Sequence, residues 1–474
     1  MSATQSDVPA TSSEDLAADF ASFAASVDVS TLDPAVIDAA KTNILDTLAC
    51  ALAGSSAPAI AELRDLVESW GGTPQADVWV FGGKLPAHHV AWLNGGMAHA
   101  RDYDDTHDAA ILHAGVSAVP AAIAAGQLRG DASGADLIAA VVAGLEVTCR
   151  LGAAIEADIV ESGFIYSSLL GYFGATAAAG RAMGLSVGEM VDAFGIVYSS
   201  VAGNHQVTRD ASLMKRLQPG LAAQAAVAAV QLAQRGIRGA RGVFDGADGF
   251  FRIYLRGRAD TMRAREDLGN RFELLNLSYK PYPCCRDTHS VIDAVLDFQA
   301  EMPIPADDVE SIRVGLTAPG YQMVCTPEEV RRAPRTIVEA QFSIPYAVAA
   351  SWIDGRPRLE NFTEDGIARS DVLELAGRVE GYVDEEIDRD WSRFVTPARL
   401  IVELRDGRRF ERRVDYAKGH PTNKMSPDEF ATKAVDCAAW AERPLPADTA
   451  TRLAAKVAEL ENVSNLSELV ALMS

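Results

Sequence analysis

The chain has 474 residues, 48% of them hydrophobic, and a formal net charge of −22. That length suggests two or three cooperating units with apolar residues enough for a large core, so a folded enzyme is a better expectation than a tail or an adaptor. The acidic balance argues against sequence-independent nucleic-acid binding, which needs clustered Lys and Arg to displace counterions, and any anionic ligand must find a local positive site.

Residues 1–14 are rich in Ser, Thr and Ala, hold no Lys or Arg and no apolar run, and read as a short frayed lead rather than a secretory signal. Over residues 14–239 apolar residues recur at helical spacing, with Ser, Asp and Pro at expected starts and Gly at stops, so this part reads as nearly all α. Asp33-Pro34 predicts a capped helix with proline at its first position, ending at Gly54. Stretches 135–155 and 221–234 are apolar around most of their circumference and belong inside a large bundle. Apolar runs are broken by His113, Arg129, Glu146 or Gln224 before reaching the roughly 20 residues of a bilayer span, so no membrane segment is expected.

Near Gly269 short β-type runs begin. VESIRVGL (309–316) is one, and RLIVELRDGRRFERRVDY (399–416) places Asp406-Gly407 between two alternating strands as a hairpin turn. Helical patterns at 290–302 and 336–352 lie between them, and amphipathic helices return over 427–474. The expected fold is mainly α: a large helical domain of residues 1–268, rejoined by 413–474, with a smaller α+β lid domain at 269–412. The cysteines at 50, 149, 284, 285, 325 and 437 have neither the density of a disulfide scaffold nor a CxxC metal spacing, which points to reduced thiols and a cytoplasmic protein.

Four segments carry chemistry. HARDYDDTHDAAILHAG holds His99, Asp102, Asp104, Asp105, Thr106, His107, Asp108 and His113 between apolar helices, where unpaired ionisable groups are costly. Mixed His and Asp ligands for a metal, a histidine oriented by a carboxylate for proton transfer, and a polar loop capping two helix ends all fit it. In RDASLMKRLQPG, Lys215 and Arg216 stand just before a helix whose first turn holds Pro219 and Gly220, an arrangement favourable to an anion, although a surface lysine before a helix fits the spacing as well. In YKPYPCCRDTH two prolines hold the chain extended from Lys280 to Cys285, after which Asp287 can cap a helix carrying His289 in its first turn. Cys285 is either a reactive thiol or a buried structural one. GFIYSSLLGYFGATAAAGRAMG sets Tyr166 at the mouth of a small-residue helix, as a buried aromatic or as a pocket acid.

These segments, in this order, resemble the MmgE/PrpD family, which includes 2-methylcitrate dehydratase, cis-aconitate decarboxylase and iminodisuccinate epimerase. NGGMAHARDYDDTH, HAGVSAVPAAIA, GATAAAGRAMGLS, MKRLQPGLAAQAAVAA, YKPYPCCRDTH and EAQFSIPYAVA carry the likeness. It implies a homodimer with the active site between a helical domain and an α+β lid, no metal and no organic cofactor, and a small-molecule carboxylate substrate. Position by position, the family's decarboxylase pocket matches Asp102, Thr106, Lys215 and Lys280, and His113 with one inserted residue. It departs where that branch has histidines and this chain has Ile165, next to Tyr166, and Cys285. The implied chemistry removes a proton α to a carboxylate, with Lys215 and Lys280 holding charge, His113 as base, Asp102 or His113 near a leaving hydroxyl, and Tyr166 delivering a proton from the other face. Thr106, Arg216, Cys285 and His289 complete the expected substrate site. A 2-methylcitrate dehydratase-like hydro-lyase is the first expectation; an imino- or amino-dicarboxylate epimerase, a cis-aconitate decarboxylase-like lyase and a non-catalytic acid-binding homologue are the alternatives.

Overall fold

The computed structural model describes residues 15–157, 162–391 and 397–473; the amino-terminal lead lies outside them. The fold is mainly α. In α1 (Pro34–Gly54) the Asp33 carboxylate accepts the Ala35 N–H at 2.8 Å and Pro34 takes the first helical position, so a free donor is satisfied and proline's missing N–H falls where no helical bond is due. α2 (Ala87–His99), α3 (Gly115–Arg129), α4 (Gly134–Ala154), α5 (Tyr166–Met183) and α6 (Met214–Gln234) follow. α3 and α4 pack on α5, and α2 crosses α6.

At that crossing two glycines let the backbones touch. A Cβ on Gly220 would sit 2.4 Å from the Trp92 carbonyl oxygen, and one on Gly95 would sit 2.9 Å from the Gly220 Cα. Main chain cannot yield as a side-chain tip does, so Gly220→Ala should cost about 1–3 kcal/mol by forcing the helices apart. Chemical denaturation of the variant reads this directly; a midpoint matching the native one would mean a looser crossing.

α4 is long and apolar enough to cross a membrane by length and composition, yet it lies wholly inside the bundle. Glu146 and Arg150, one turn apart within it, form a fully buried ion pair. Each also satisfies backbone: Arg150 donates to the Ala264 and Glu266 carbonyls at 3.2 and 2.7 Å, and Glu146 accepts the Glu273 and Leu274 N–H groups at 3.0 and 3.1 Å. Such pairing is what makes a buried charge tolerable. It also fixes the chain entering β2 (Leu277–Ser278), which pairs antiparallel with β1 (Thr106–His107).

A second core gathers side chains between Tyr282 and Leu404. Its sheet runs β4-β3-β5-β6, comprising β3 (Val309–Leu316), β4 (Val379–Val383), β5 (Ala398–Leu404) and β6 (Arg409–Val414), with β3 and β4 parallel and the other pairs antiparallel. Gly407, at φ +86°, turns the β5–β6 hairpin where a side chain would be strained. α7 (His289–Glu301) and α8 (Ile344–Asp354) pack over this sheet. The 336–352 stretch, expected as one helix, is two: Ile337–Gln341 ends, and the Ser343 hydroxyl accepts the Tyr346 N–H at 3.0 Å to start α8 with Pro345 in its first turn. The first core runs from Leu16 to Leu277 and takes in apolar residues of 453–473, while α9 (Pro427–Ala438) lies against α1.

Candidate active site

The two cores face each other where the loop after α2 meets the extended chain after β2. Asp102, buried and at φ +53°, is at the centre; aspartate enters this left-handed region more readily than most residues. Its carboxylate takes a hydrogen bond from the Lys215 ammonium, in the first turn of α6, and another at 2.8 Å from Lys280, which also donates to the Asp102 carbonyl at 2.9 Å. Burial alone would raise the Asp102 pKa, but the two lysines outweigh it and hold the carboxyl well below its usual range. Two ammonium groups offset the carboxylates of Asp102 and of nearby Asp104, a local relief from the acidity of a chain of net charge −22 that an anionic substrate needs.

The sequence placed Lys215 and Arg216 before a helix; they are in its first turn, because α6 starts at Met214 and Pro219 is accommodated inside it. Successive helical residues point about 100° apart. Lys215 therefore reaches the cavity, while Arg216 turns into the body and donates to the Pro58 carbonyl at 3.4 Å. Arg216 does not line the site.

Beside the lysines stand two histidines on one carboxylate. Asp104 Oδ2 lies 3.0 Å from His99 Nδ1 and 3.1 Å from His113 Nδ1, and His113 Nδ1 is also 2.6 Å from the Asp105 carbonyl. Both neighbours of His113 Nδ1 are acceptors, so that nitrogen carries a proton and Nε2 is the ring nitrogen these contacts leave for other partners. Asp105 caps α3 by accepting the Ala114 and Gly115 N–H groups, each at 3.0 Å, and so fixes His113 immediately before that helix. Burial pushes the His99 pKa down to about 4, leaving it neutral, whereas the two imidazoles overcome burial to hold Asp104 well below the usual range. The ligand atoms of His99, Asp104 and His113 lie within 4.8 Å of one another, the donor set of the metal reading. Both Nδ1 atoms lie at hydrogen-bond distance from the same Asp104 oxygen, so the cluster also satisfies itself as two imidazoles sharing one carboxylate.

A cavity of about 80 Å³ joins these groups. The helices before β2 and their loops supply His99, Asp102, Thr106, His113, Ser167 and Lys215; the chain after β2 supplies Lys280, Cys285, Arg286, Asp287, Met323 and Phe342. It adjoins a wider chamber of about 460 Å³, sharing His205, Thr208, Met323 and Phe342. Thr106 donates its hydroxyl to the Leu112 carbonyl at 3.2 Å, so it presents lone pairs rather than its proton. Burial drives the Cys285 thiol well above its ordinary pKa, which makes it wall and not nucleophile. Ile165, the other departure from the decarboxylase pattern, also lines the cavity.

Two further expectations are corrected. Tyr166 begins α5 with Ile165 and Ser167 facing the cavity; its own hydroxyl donates to the Ala157 carbonyl at 3.2 Å, and it is not among the residues lining the cavity. His289 is fully buried behind the wall, its ring nitrogens 3.3 Å from Arg286 Nη1 and from the Cys284 carbonyl. His107 lies 3.6 Å from Glu273 and does not line the cavity. The sequence reading gave no site role to Arg286 or His205, and took Asp287 only as a helix cap. Nothing in their local pattern marks them, since distant segments bring them to the cavity.

The description MmgE/PrpD N-terminal domain matches residues 18–262, and MmgE/PrpD C-terminal domain matches residues 282–460. The chain belongs to the MmgE/PrpD family. Lys280 sits in the seam between the two MmgE/PrpD domains. The chain is 28% identical over 463 residues to cis-aconitate decarboxylase of Homo sapiens, covering 96% of this chain and 93% of that one. It is 27% identical over 391 residues to cis-aconitate decarboxylase of Aspergillus terreus, covering 78% and 79%. A cis-aconitate decarboxylase-like protein of Aspergillus oryzae is 26% identical over 460 residues, covering 93% of each chain.

Proposed function

We propose that this MmgE/PrpD chain is a lyase that removes the proton α to a carboxylate of a compact polycarboxylate and expels a β-hydroxyl, a reaction of the 2-methylcitrate dehydratase type. The observation that carries the reading is the convergence of Lys215 and Lys280 beside His113, whose Nδ1 is held by Asp104 and the Asp105 carbonyl. The lysines hold the substrate carboxylate and the enolate-like charge that grows on it as the proton leaves. His113 Nε2 takes that proton, and Asp104 stabilises the imidazolium that results. Thr106 offers lone pairs to a substrate hydroxyl. The reading includes a homodimer in the cytoplasm.

Decarboxylation is the second reading, favoured by the names of the relatives. Against it, Ile165 and Cys285 stand in the cavity where the decarboxylase pattern has imidazoles, so two of its groups for handling protons are replaced by apolar or poorly acidic ones. Epimerisation needs an acid on each face of the carbon, and Tyr166, the residue expected to supply the second, is not among those lining the cavity.

The test is NMR in D2O with citrate, 2-methylcitrate, cis-aconitate, malate, tartrate and aspartate derivatives. Deuterium entering an α-carbon together with an alkene is the expected result for dehydration; carbon dioxide release would favour the decarboxylase, and inversion alone the epimerase. His113→Asn keeps a donor toward Asp104 but removes Nε2, and should slow exchange by about 10²–10⁴-fold. Exchange at the native rate in that variant would remove His113 from the mechanism.

A further inference from the structure

Elimination needs a second group, one that hands a proton to the departing oxygen. Asp287 lines the cavity from the lid side, whereas His113 enters from the helical body. Its carboxyl is buried and short of donors. The Cys285 thiol, a weak donor, is 3.7 Å from Oδ2. Gly320, in the Ala318–Val324 helix, presents no side chain to Oδ1. The two cations that act on it are committed elsewhere. Arg286 reaches Asp108 with Nε and Nη2, at 3.2 Å each, and the Lys418 carbonyl with Nη1 at 2.8 Å; Lys280 is bound to Asp102. Among the described residues Asp287 has no ion-pair partner, and a buried carboxyl so placed favours its neutral, proton-carrying form.

We propose that Asp287 is the proton donor of this site, acting on the leaving oxygen while His113 acts on the adjacent carbon, an assignment that rests on the lyase reading. His113 Nε2 takes the α-proton and the freed electron pair forms the carbon–carbon double bond. The carbon–oxygen bond breaks, its electron pair takes the Asp287 proton, and water departs. Asp287 is left as carboxylate and His113 as imidazolium; proton exchange with solvent restores both. The charges facing Asp287 are consistent with this cycle. Burial is the largest influence and, with Asp108, outweighs the Cys285 hydrogen bond, Arg286 and Lys280, so the carboxyl is pushed up to about 7. Cys325 also faces it, with burial holding that thiol protonated. Such an acid still carries its proton near neutrality and releases it readily, the balance that general acid catalysis favours.

The experiment uses the full chain and Asp287→Asn, which keeps the shape and removes the acid. With an acid that the native chain converts, deuterium exchange at the α-carbon should persist in the variant while alkene formation falls by about 10²–10⁴-fold and the loss of kcat above about pH 7 disappears. Infrared difference spectra between acid and alkaline solution should contain a protonated-carboxyl band in the native chain that is missing from the variant. A band identical in both proteins, or alkene formation undiminished while exchange continues, overturns the assignment alone. A native chain that exchanges no α-proton with any acid defeats the lyase reading and the donor role with it.

Discussion

Lys280→Met should yield a folded protein whose kcat/KM has fallen by about 10³, near the upper range for removing one preorganised group that faces developing charge. The side chain is fully buried and donates to both the carbonyl and the carboxylate of Asp102. Methionine fills similar volume without the ammonium. In the variant Lys215 alone faces the Asp102 and Asp104 carboxylates, so the centre that must draw a carboxylate into the cavity becomes negative. Burial opposes the Lys280 charge, yet Asp102 and Asp104 outweigh it and raise the pKa above the ordinary lysine value of 10.5. A raised lysine stabilises the fold at every pH below its unfolded value and loses that contribution only as pH climbs through the folded one. Lys280 is therefore charged at pH 6 and pH 8 alike, and because that charge also holds the Asp287 carboxyl down, the fall of kcat with rising pH should move to higher pH in the variant. Activity within tenfold of native would remove Lys280 from substrate binding, and an unmoved pH profile would mean that its charge does not reach Asp287.

What the sequence made legible follows the range of the interactions involved. The start of α1 at Asp33-Pro34 and the hairpin turn at Asp406-Gly407 are set by bonds within a few residues, and local pattern is enough to read them. The same holds for the density of ionisable groups between His99 and His113, which marks a site because so many charges between apolar helices need partners. Asp102, Thr106, His113, Lys215, Lys280 and Cys285 all reach one cavity. Helix phase is where the reading fails: Arg216 and Tyr166 are each next to a lining residue and point elsewhere, and a one-residue difference in phase is invisible without knowing what each face packs on. Asp287 is harder still. Its surroundings are decided by Arg286 turning to Asp108, which the β1–β2 ladder carries in from far along the chain. No local signal encodes a carboxyl left without a cation.

Lys433→Met should destabilise the protein by about 3–5 kcal/mol, the range for leaving one partner of a buried ion pair alone. Lys433 in α9 and Asp46 in α1 are 1% and 0% exposed and bonded to each other, and Lys433 also donates to the Tyr103 carbonyl at 2.7 Å. Tyr103 follows Asp102 and donates its hydroxyl to the Pro281 carbonyl, one residue past Lys280, at 3.1 Å. α9 thus holds the Asp102–Tyr103 loop, and through Tyr103 the chain beside Lys280, so turnover should fall along with stability. The pH dependence identifies the group left behind. Burial raises the Asp46 pKa to about 6 even though Lys433 opposes it, so ionised Asp46 costs stability relative to the unfolded chain. For a carboxyl raised in this way the cost grows as pH rises from about 4 and levels off once the group ionises in the fold. In the native chain the levelling comes near pH 6; without Lys433 it moves higher, and the stability gap between native and variant should widen from pH 5 to pH 8. Denaturant melts at the two values measure it. A constant gap would mean that the loss lies in the Tyr103 contact and the packing of α9 rather than in an uncompensated Asp46.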